Sequence, residues 1–278
     1  MKQIDKELID GIIPSPPQPD APAIEQVEWF DDRFYKVLDA QGKEIFLASV
    51  TTILNIINKP FLSRWRGDLG NEAADRKMNY AAWRGSRIHD AIHRGLIRDK
   101  QGNRQPIPMG GFEGQGAYKQ DEWIQLVRFQ EFMQTLQPDI LQTEEIVYAL
   151  DMGYAGTCDL ICELKKGEYK FGKRGKVEIP EDGIYIGDIK TGNQVDKDYH
   201  FQTAAYAAAV PKETFDKIVG TFVLHLNNDS EAGWKMHVRN AAEMDADLHM
   251  FFHACELWKF KNPNQTPPVF TMPTVLQF

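Results

Sequence analysis

The chain is expected to be an α/β (α+β) protein with a central mixed sheet flanked by helices. Three observations predict this. Short apolar runs with strand-like alternation recur along the chain. Longer stretches with helical spacing lie before, between and after them. With 278 residues, 42% of them hydrophobic and 26% charged, the chain can bury one sizeable core.

Residues 1–28 read as an acidic, Pro-rich arm, with Pro14, Pro16, Pro17, Pro19 and Pro22 keeping it extended. A folded domain is expected over 29–261. It opens with runs at 28–38 and 44–48 around Asp39–Lys43, a β-hairpin with a Gly-containing turn. Ser49 or Thr51 then caps a short helix through Ile57, and Pro60 ends it. Arg64 to Leu96 has helical spacing, with a break near Gly67–Gly70. Residues 101–116 hold five glycines and two prolines and form a loop. Lys119 to Leu136 is helical, with Trp123, Leu126, Val127, Phe129, Phe132 and Met133 as its apolar side.

Strands are predicted at about 144–150, 155–164 and 183–190, then a helix over 198–210. Two further strands at about 218–226 and 233–239 and a helix over 241–260 follow. The tail 262–278 has four prolines and no clear period. No internal repeat is visible.

No apolar run approaches the ~20 residues of a membrane helix. The first residues lack the apolar segment of a secretory signal and are too acidic for a transit peptide. A cytoplasmic protein of a bacterium or a phage-infected cell is expected, with no membrane partner. Cys158, Cys162 and Cys255 do not suggest a disulfide framework. Cys158 and Cys162, four apart in a strand, are expected to share one face as small core residues.

The net charge of −8 runs against a polyanion partner, but it is unevenly spread. Residues 61–104 hold ten basic against five acidic residues, and residues 165–178 hold six against two. The local field at a groove matters more to a polyanion than the total.

The chemistry concentrates in two strands. One carries Asp159 within Tyr154–Cys162, and the other carries Asp188-Ile189-Lys190. Alternation puts Asp188 and Lys190 on one face, and if the strands pair, Asp159 joins them. Two carboxylates and an ammonium form a set that metal-assisted phosphodiester hydrolysis can use. The bland reading of any one of these residues is a surface ion pair.

Their company extends the pattern. Gly85-Ser-Arg-Ile-His89 lies upstream on a helical stripe with Ala81, Ile88, Ile92 and Leu96, and Gln202-Thr-Ala-Ala-Tyr206 lies downstream. With Ser49-Val-Thr-Thr-Ile-Leu54 and Arg64-Trp65, this order resembles the RecB-like branch of the PD-(D/E)XK nuclease superfamily. It is similar in particular to the mitochondrial genome maintenance exonuclease and related phage exonucleases. The resemblance covers about residues 29–210.

It implies a restriction-endonuclease-like core with an N-terminal helical elaboration. It implies a metal-dependent DNA exonuclease acting on single strands or frayed ends in recombination, replication or repair. A structure-specific endonuclease and a non-catalytic nucleic-acid-binding protein are the alternatives. The metal ligands would be His89, Asp159, Asp188 and the carbonyl of Ile189. One imidazole with two carboxylates suits Mn²⁺ or Mg²⁺.

The resemblance also implies that Lys190 supports the attacking water or the developing charge, and that Gln202 and Tyr206 line the site. Glu145 approaches the metal through water or sits at the surface. His93 stays outside the ligand set. Arg84, Arg87, Arg64 and Arg66 are candidates for phosphate contacts or solvated surface, and Ser49 and Thr51 for phosphate contacts or simple capping.

Trp29, Phe30, Phe34, Tyr35, Trp65 and Trp83 stack on unpaired bases or pack in the core. The basic residues within 165–182 guide a strand or decorate a solvated hairpin. Three cysteines cannot supply the four-cysteine iron–sulfur cluster of some such nucleases, so none is expected. A recombination or single-strand-binding protein is a conceivable partner.

Overall fold

A computed structural model describes residues 24–29, 32–39, 41–98, 102–227, 233–263 and 267. Most of the Pro-rich arm and of the C-terminal tail, and Phe30, lie outside the described residues.

The first three strands, β1 (Glu25–Trp29), β2 (Asp32–Leu38) and β3 (Glu44–Ser49), form an antiparallel meander. The sheet therefore begins inside the stretch assigned to the arm, because residues 25–28 pair along β2. Ser49 ends β3 and caps α1 (Val50–Leu54), its Oγ accepting from the Thr52 N–H at 2.9 Å. Two helices follow, α2 (Pro60–Leu69) and α3 (Asn71–Leu96). They part at Gly70, whose φ of 79° lies in the left-handed region that glycine adopts without a Cβ clash.

Next come α4 (Gln120–Leu136), β4 (Asp139–Ala149) and β5 (Tyr154–Leu164). A hairpin of β6 (Gly167–Phe171) and β7 (Gly175–Ile179) leads to β8 (Gly183–Lys190). The last described elements are α5 (Asp198–Ala209), α6 (Lys212–Phe215), β9 (Ile218–His225), β10 (Lys235–Asn240) and α7 (Ala241–Lys261).

The result is the expected mixed α/β architecture. Eight strands form one sheet in the order β1-β2-β3-β5-β8-β9-β10, with β4 also on β5. Along β8 the side chains alternate between two cores: Ile184 and Ile186 join one, Tyr185 and Ile189 the other. The first core is covered by α1, α5 and α7 through Ile53, Ala205 and Phe251. The second is covered by α3 and α4 through Ile88, Ile92, Phe129 and Phe132. The β6–β7 hairpin packs into this second core, with Phe171 stacked on Trp234 at 3.7 Å between ring centroids. Its basic side chains, Lys170, Lys173, Arg174 and Lys176, are exposed, as are Lys165 and Lys166 just before it.

Two irregularities in β4 and β5 create the candidate site. First, β4 follows one edge of β5 along its length, so β3 and β8 must share the other edge. There β3 pairs with Tyr154 and Ala155, and β8 with Leu160 to Leu164. The edge between them is a fork in the sheet. The ring of Tyr206 enters this fork over Gly156, where a Cβ would come within 2.3 Å of it.

Second, the β4–β5 register shifts by one between Ile140 and Gln142 and then skips a pair. Thr143 pairs with Leu160 and Glu145 with Cys158, so Glu144 and Asp159 stand level with each other. Glu144 adopts a φ of 52°, left-handed for a residue that carries a Cβ. Alternation breaks at this level. Cys158 packs with α5 and α7, whereas Leu160 and Cys162 pack with α3 and α4. This corrects the expectation that Cys158 and Cys162 share a face; both are buried, in different cores.

Candidate metal centre

His89 reaches the fork from α3. Its turn of helix is fixed by Ile88, Ala91 and Ile92, all fully or nearly fully buried. One turn back, Gly85 faces Thr191 just past the end of β8, and a Cβ there would lie 3.1 Å from the Thr191 hydroxyl. The glycine thus lets the helix lie close to the chain leaving Lys190. His89 Nδ1 stands 3.3 Å from Asp159 Oδ1 and 3.6 Å from Glu144 Oε1. One donor atom from each of His89, Glu144 and Asp159 lies within 4.8 Å of the others, so this group could hold a metal ion.

The electrostatics follow from that crowding. Burial is the largest influence on His89 and disfavours its charge, but Asp159 and then Glu144 outweigh it and raise the imidazole to about 10. The 26% of the side chain that still meets solvent softens the burial cost. Burial likewise opposes ionisation of Asp159, yet the facing His89 holds its carboxyl below the usual range. Asp159 Oδ2 also accepts the Ile189 N–H at 2.6 Å, which locks the carboxylate to β8.

Behind this cluster lies a second, buried network. Lys190 Nζ stands 2.8 Å from Asp188 Oδ2 and donates to Gln202 Oε1 at 3.1 Å. Gln202 Nε2 donates to Asp188 Oδ1 and to the Tyr206 hydroxyl, each at 2.8 Å. Desolvation, reinforced by Asp159 and opposed by Lys190, pushes Asp188 up to about 6. Burial works against charge on Lys190, but Asp188 and Asp159 overcome it and raise its pKa, so the ammonium form persists at neutral pH. The Lys190 ammonium lies 4.4 Å above the Tyr199 ring.

The donor set fits a divalent cation. An imidazole nitrogen and two carboxylate oxygens gathered within 4.8 Å of one another are donors of the kind such an ion takes. Asp188 Oδ2 is buried and accepts no aligned hydrogen bond, Lys190 approaching it off that line.

The side chains that the structure gathers differ in one member from those implied by the sequence. His89 and Asp159 meet as expected. Asp188 is turned towards Gln202 and Lys190, and Glu144 takes the third place. Glu145, half-buried and paired across from Cys158, is not in the cluster. No sequence pattern marked Glu144, whose position depends on the skipped pair. His93 Nδ1 lies 3.4 Å from the hydroxyl of Thr143, beside Glu144. Gln202 and Tyr206 are buried and hold Asp188 and Lys190, so they do not present their polar atoms to a substrate.

The other expected contacts divide clearly. Arg84 pairs with Asp121 at 3.0 Å and donates to the Thr191 carbonyl. Arg87 pairs with fully buried Glu122 at 2.7 Å and donates to the carbonyls of Gln115, Gly116 and Ala117. These two arginines are tied to protein, so the alternative of solvated surface does not hold for them. Arg66 pairs with Asp75, and Arg64 is exposed.

Ser49 is buried and capping, and its hydroxyl also meets those of Thr51 and Thr52, so neither Ser49 nor Thr51 is free to cradle a phosphate. Phe34 and Tyr35 are core residues, whereas Trp83 is 47% exposed.

Comparison with protein-family models gives no match, and neither does comparison with curated proteins. No helix among the described residues is long and apolar enough to cross a membrane.

Proposed function

We propose that this chain is a metal-dependent deoxyribonuclease of the PD-(D/E)XK type. In this reading it hydrolyses phosphodiester bonds of single-stranded DNA or frayed ends from a terminus, in recombination, replication or repair. The observation that carries the proposal is the convergence of His89, Glu144 and Asp159 at the sheet fork, with Lys190 held beside them. When bound there, Mn²⁺ or Mg²⁺ supplies Lewis acidity and charge neutralisation for the phosphate.

The protein groups do the rest. His89, Glu144 and Asp159 would hold the ion, while Asp188 is held by Gln202 and Lys190. The Ile189 N–H fixes the Asp159 carboxylate, so that ligand is oriented before anything binds. Lys190 keeps its proton, which makes it a donor to developing negative charge and not a general base. Gln202 sets its reach by accepting from Nζ while holding Asp188 with its amide, and Tyr206 fixes Gln202 in turn. The fork exposes enough of His89 for a substrate to approach it.

The test is a gel of end-labelled linear and circular single strands and a blunt duplex, with Mn²⁺ or with EDTA. The expected result is metal-dependent loss of the linear single strand, slower loss of the duplex and survival of the circle. Cleavage of the circle would reassign the activity to an endonuclease. No cleavage of any substrate with metal present would overturn the nuclease reading.

A further inference from the structure

Next to the carboxylate centre lies a cleft of about 950 Å³ between α2, the first half of α3 and the segment 192–199. That is within the ~300–1,000 Å³ of small-ligand sites. Its walls combine two kinds of group. Phe61, Trp65, Tyr80 and Tyr199 supply aromatic rings, and Lys77 and Lys197 supply exposed ammonium groups. Phe61 is 63% exposed and Tyr80 is 39% exposed, so rings of this wall face solvent instead of filling a core.

Two further cations on the wall are already matched: Lys59 by Asp198 at 2.8 Å and Arg84 by Asp121. The acidic residues of the wall, Asp196 and Asp198, are the partners of Lys59. Among the described residues, Lys77 and Lys197 therefore remain to meet an anion, beside rings that can stack on a planar group.

Tyr199 joins this cleft to the centre. Its ring lines the cleft and also lies under the Lys190 ammonium at 4.4 Å. Lys59 approaches the same ring at 5.6 Å and anchors the start of α5 through Asp198. A ligand against Tyr199 would therefore touch the ring that lies under the Lys190 ammonium.

We propose that the cleft binds an unpaired nucleotide, base against the rings and phosphate towards the lysines, and that Tyr199 is the positioning residue linking the cleft to Lys190. This rests on the nuclease reading and adds to it a binding site and a residue that the metal centre does not contain. A base in a duplex is stacked and paired, so it cannot enter without unpairing, and the chemistry of the cleft selects single strands. DNA and RNA share that chemistry, and both belong in the test.

The first measurement is anisotropy of a labelled ten-residue oligothymidylate in EDTA, where no cleavage occurs. Matched RNA and blunt duplex serve as competitors. The Phe61→Ala/Trp65→Ala double variant should bind about tenfold more weakly or worse, since stacking on each ring contributes to affinity. Lys77→Glu should weaken binding and flatten its salt dependence. Unchanged affinity in folded forms of these variants, or equal competition by duplex, overturns the cleft assignment. That result leaves the nuclease reading standing if the wild type still cleaves. Absence of cleavage by a wild type that binds normally overturns the nuclease reading and spares the cleft.

The second measurement is single-turnover cleavage at saturating oligonucleotide. Tyr199→Leu removes the ring and should slow the step about tenfold, with binding changed much less. Tyr199→Phe keeps the ring and should restore most of the rate. Equal rates for wild type and Tyr199→Leu, or equal defects in the two variants, overturn the positioning role. Melting curves and circular dichroism of each variant separate these outcomes from misfolding.

Discussion

The two halves of the centre balance their charges in opposite ways. In the Asp188, Lys190, Gln202 and Tyr206 network, one carboxylate meets one ammonium, and an amide ties them to a phenol. In the His89, Glu144 and Asp159 cluster, two carboxylates crowd one imidazole. The first set is neutral and bonded internally; the second stays negative even when His89 is protonated. A matched network holds a shape, whereas an unmatched one attracts a cation. Changes in the cluster should therefore act on metal affinity, and changes in the network on turnover with metal still bound.

Asp159→Ala should have the largest effect, because this carboxylate belongs to the cluster and also accepts from β8. Metal-dependent cleavage should vanish, together with any metal-induced rise in melting temperature. Stranding the Ile189 N–H should cost ~1–3 kcal/mol, leaving a folded but weaker protein. Thermal melts with and without Mn²⁺ check this. A surviving metal-induced shift would mean that the ion sits elsewhere.

Lys190→Ala comes next and probes the network alone. Cleavage should fall ~10²–10³-fold, the cost of losing a preorganised donor at a developing anion. Metal affinity by calorimetry should stay nearly level, since an ammonium is not a ligand. Lys190→Arg should rescue poorly because a planar fork replaces a compact charge. Normal cleavage with lost metal binding would erase the distinction between the halves.

The pH dependence separates them again. His89 is raised from 6.5 to about 10, so its charge stabilises the fold below 6.5 and that contribution is lost as pH rises through about 10. A bound metal competes for the same nitrogen. Between those values its affinity should climb by ~tenfold per pH unit as the proton becomes easier to displace. Calorimetry at pH 7.5 in two buffers of different ionisation enthalpy should detect about one proton released per metal. Zero protons released would remove His89 from the ligand set.

Much of this was legible in the sequence. The period-2 runs located β5 and β8, glycines marked the α2–α3 break, and the buried stripe of α3 carried His89 to the right place. Glu144 was not legible. Alternation along Thr143-Glu144-Glu145 gives no reason to choose between the two glutamates, and a one-residue slip reverses every face. Only the register shift and the left-handed φ settle it. Arg84 and Arg87 were illegible for a different reason. Their partners Asp121 and Glu122 lie on another helix more than thirty residues away, and a basic residue read alone carries no sign of being matched.

Glu144→Gly exploits that unread feature and should have a smaller effect. Glycine adopts the left-handed region freely, so the metal-free protein should gain up to ~1 kcal/mol while metal affinity drops. Opposite shifts in metal-free and metal-loaded melting temperature would sharpen the view of a strained residue kept for its carboxylate. A loss in both states would mean that Glu144 is there to pair with His89.

Ser49→Ala should have the smallest effect and lies outside both halves. If Ser49 only caps α1, the substitution strands the Thr52 N–H and costs ~0.5–2 kcal/mol in denaturant melts. Ser49→Asn, which keeps an acceptor at the cap position, should recover part of that loss. Affinity for a single-stranded oligonucleotide should not move, nor should the slope of log affinity against log salt concentration. A phosphate contact at the start of α1 predicts the reverse, with weaker binding at every salt concentration and little change in stability. The hydroxyl is buried and already engaged with the Thr52 amide and the Thr51 and Thr52 hydroxyls, which favours the cap. Both variants therefore measure the stability of the β3–α1 junction, whose Ala48 and Ser49 pair with β5 at the base of the fork.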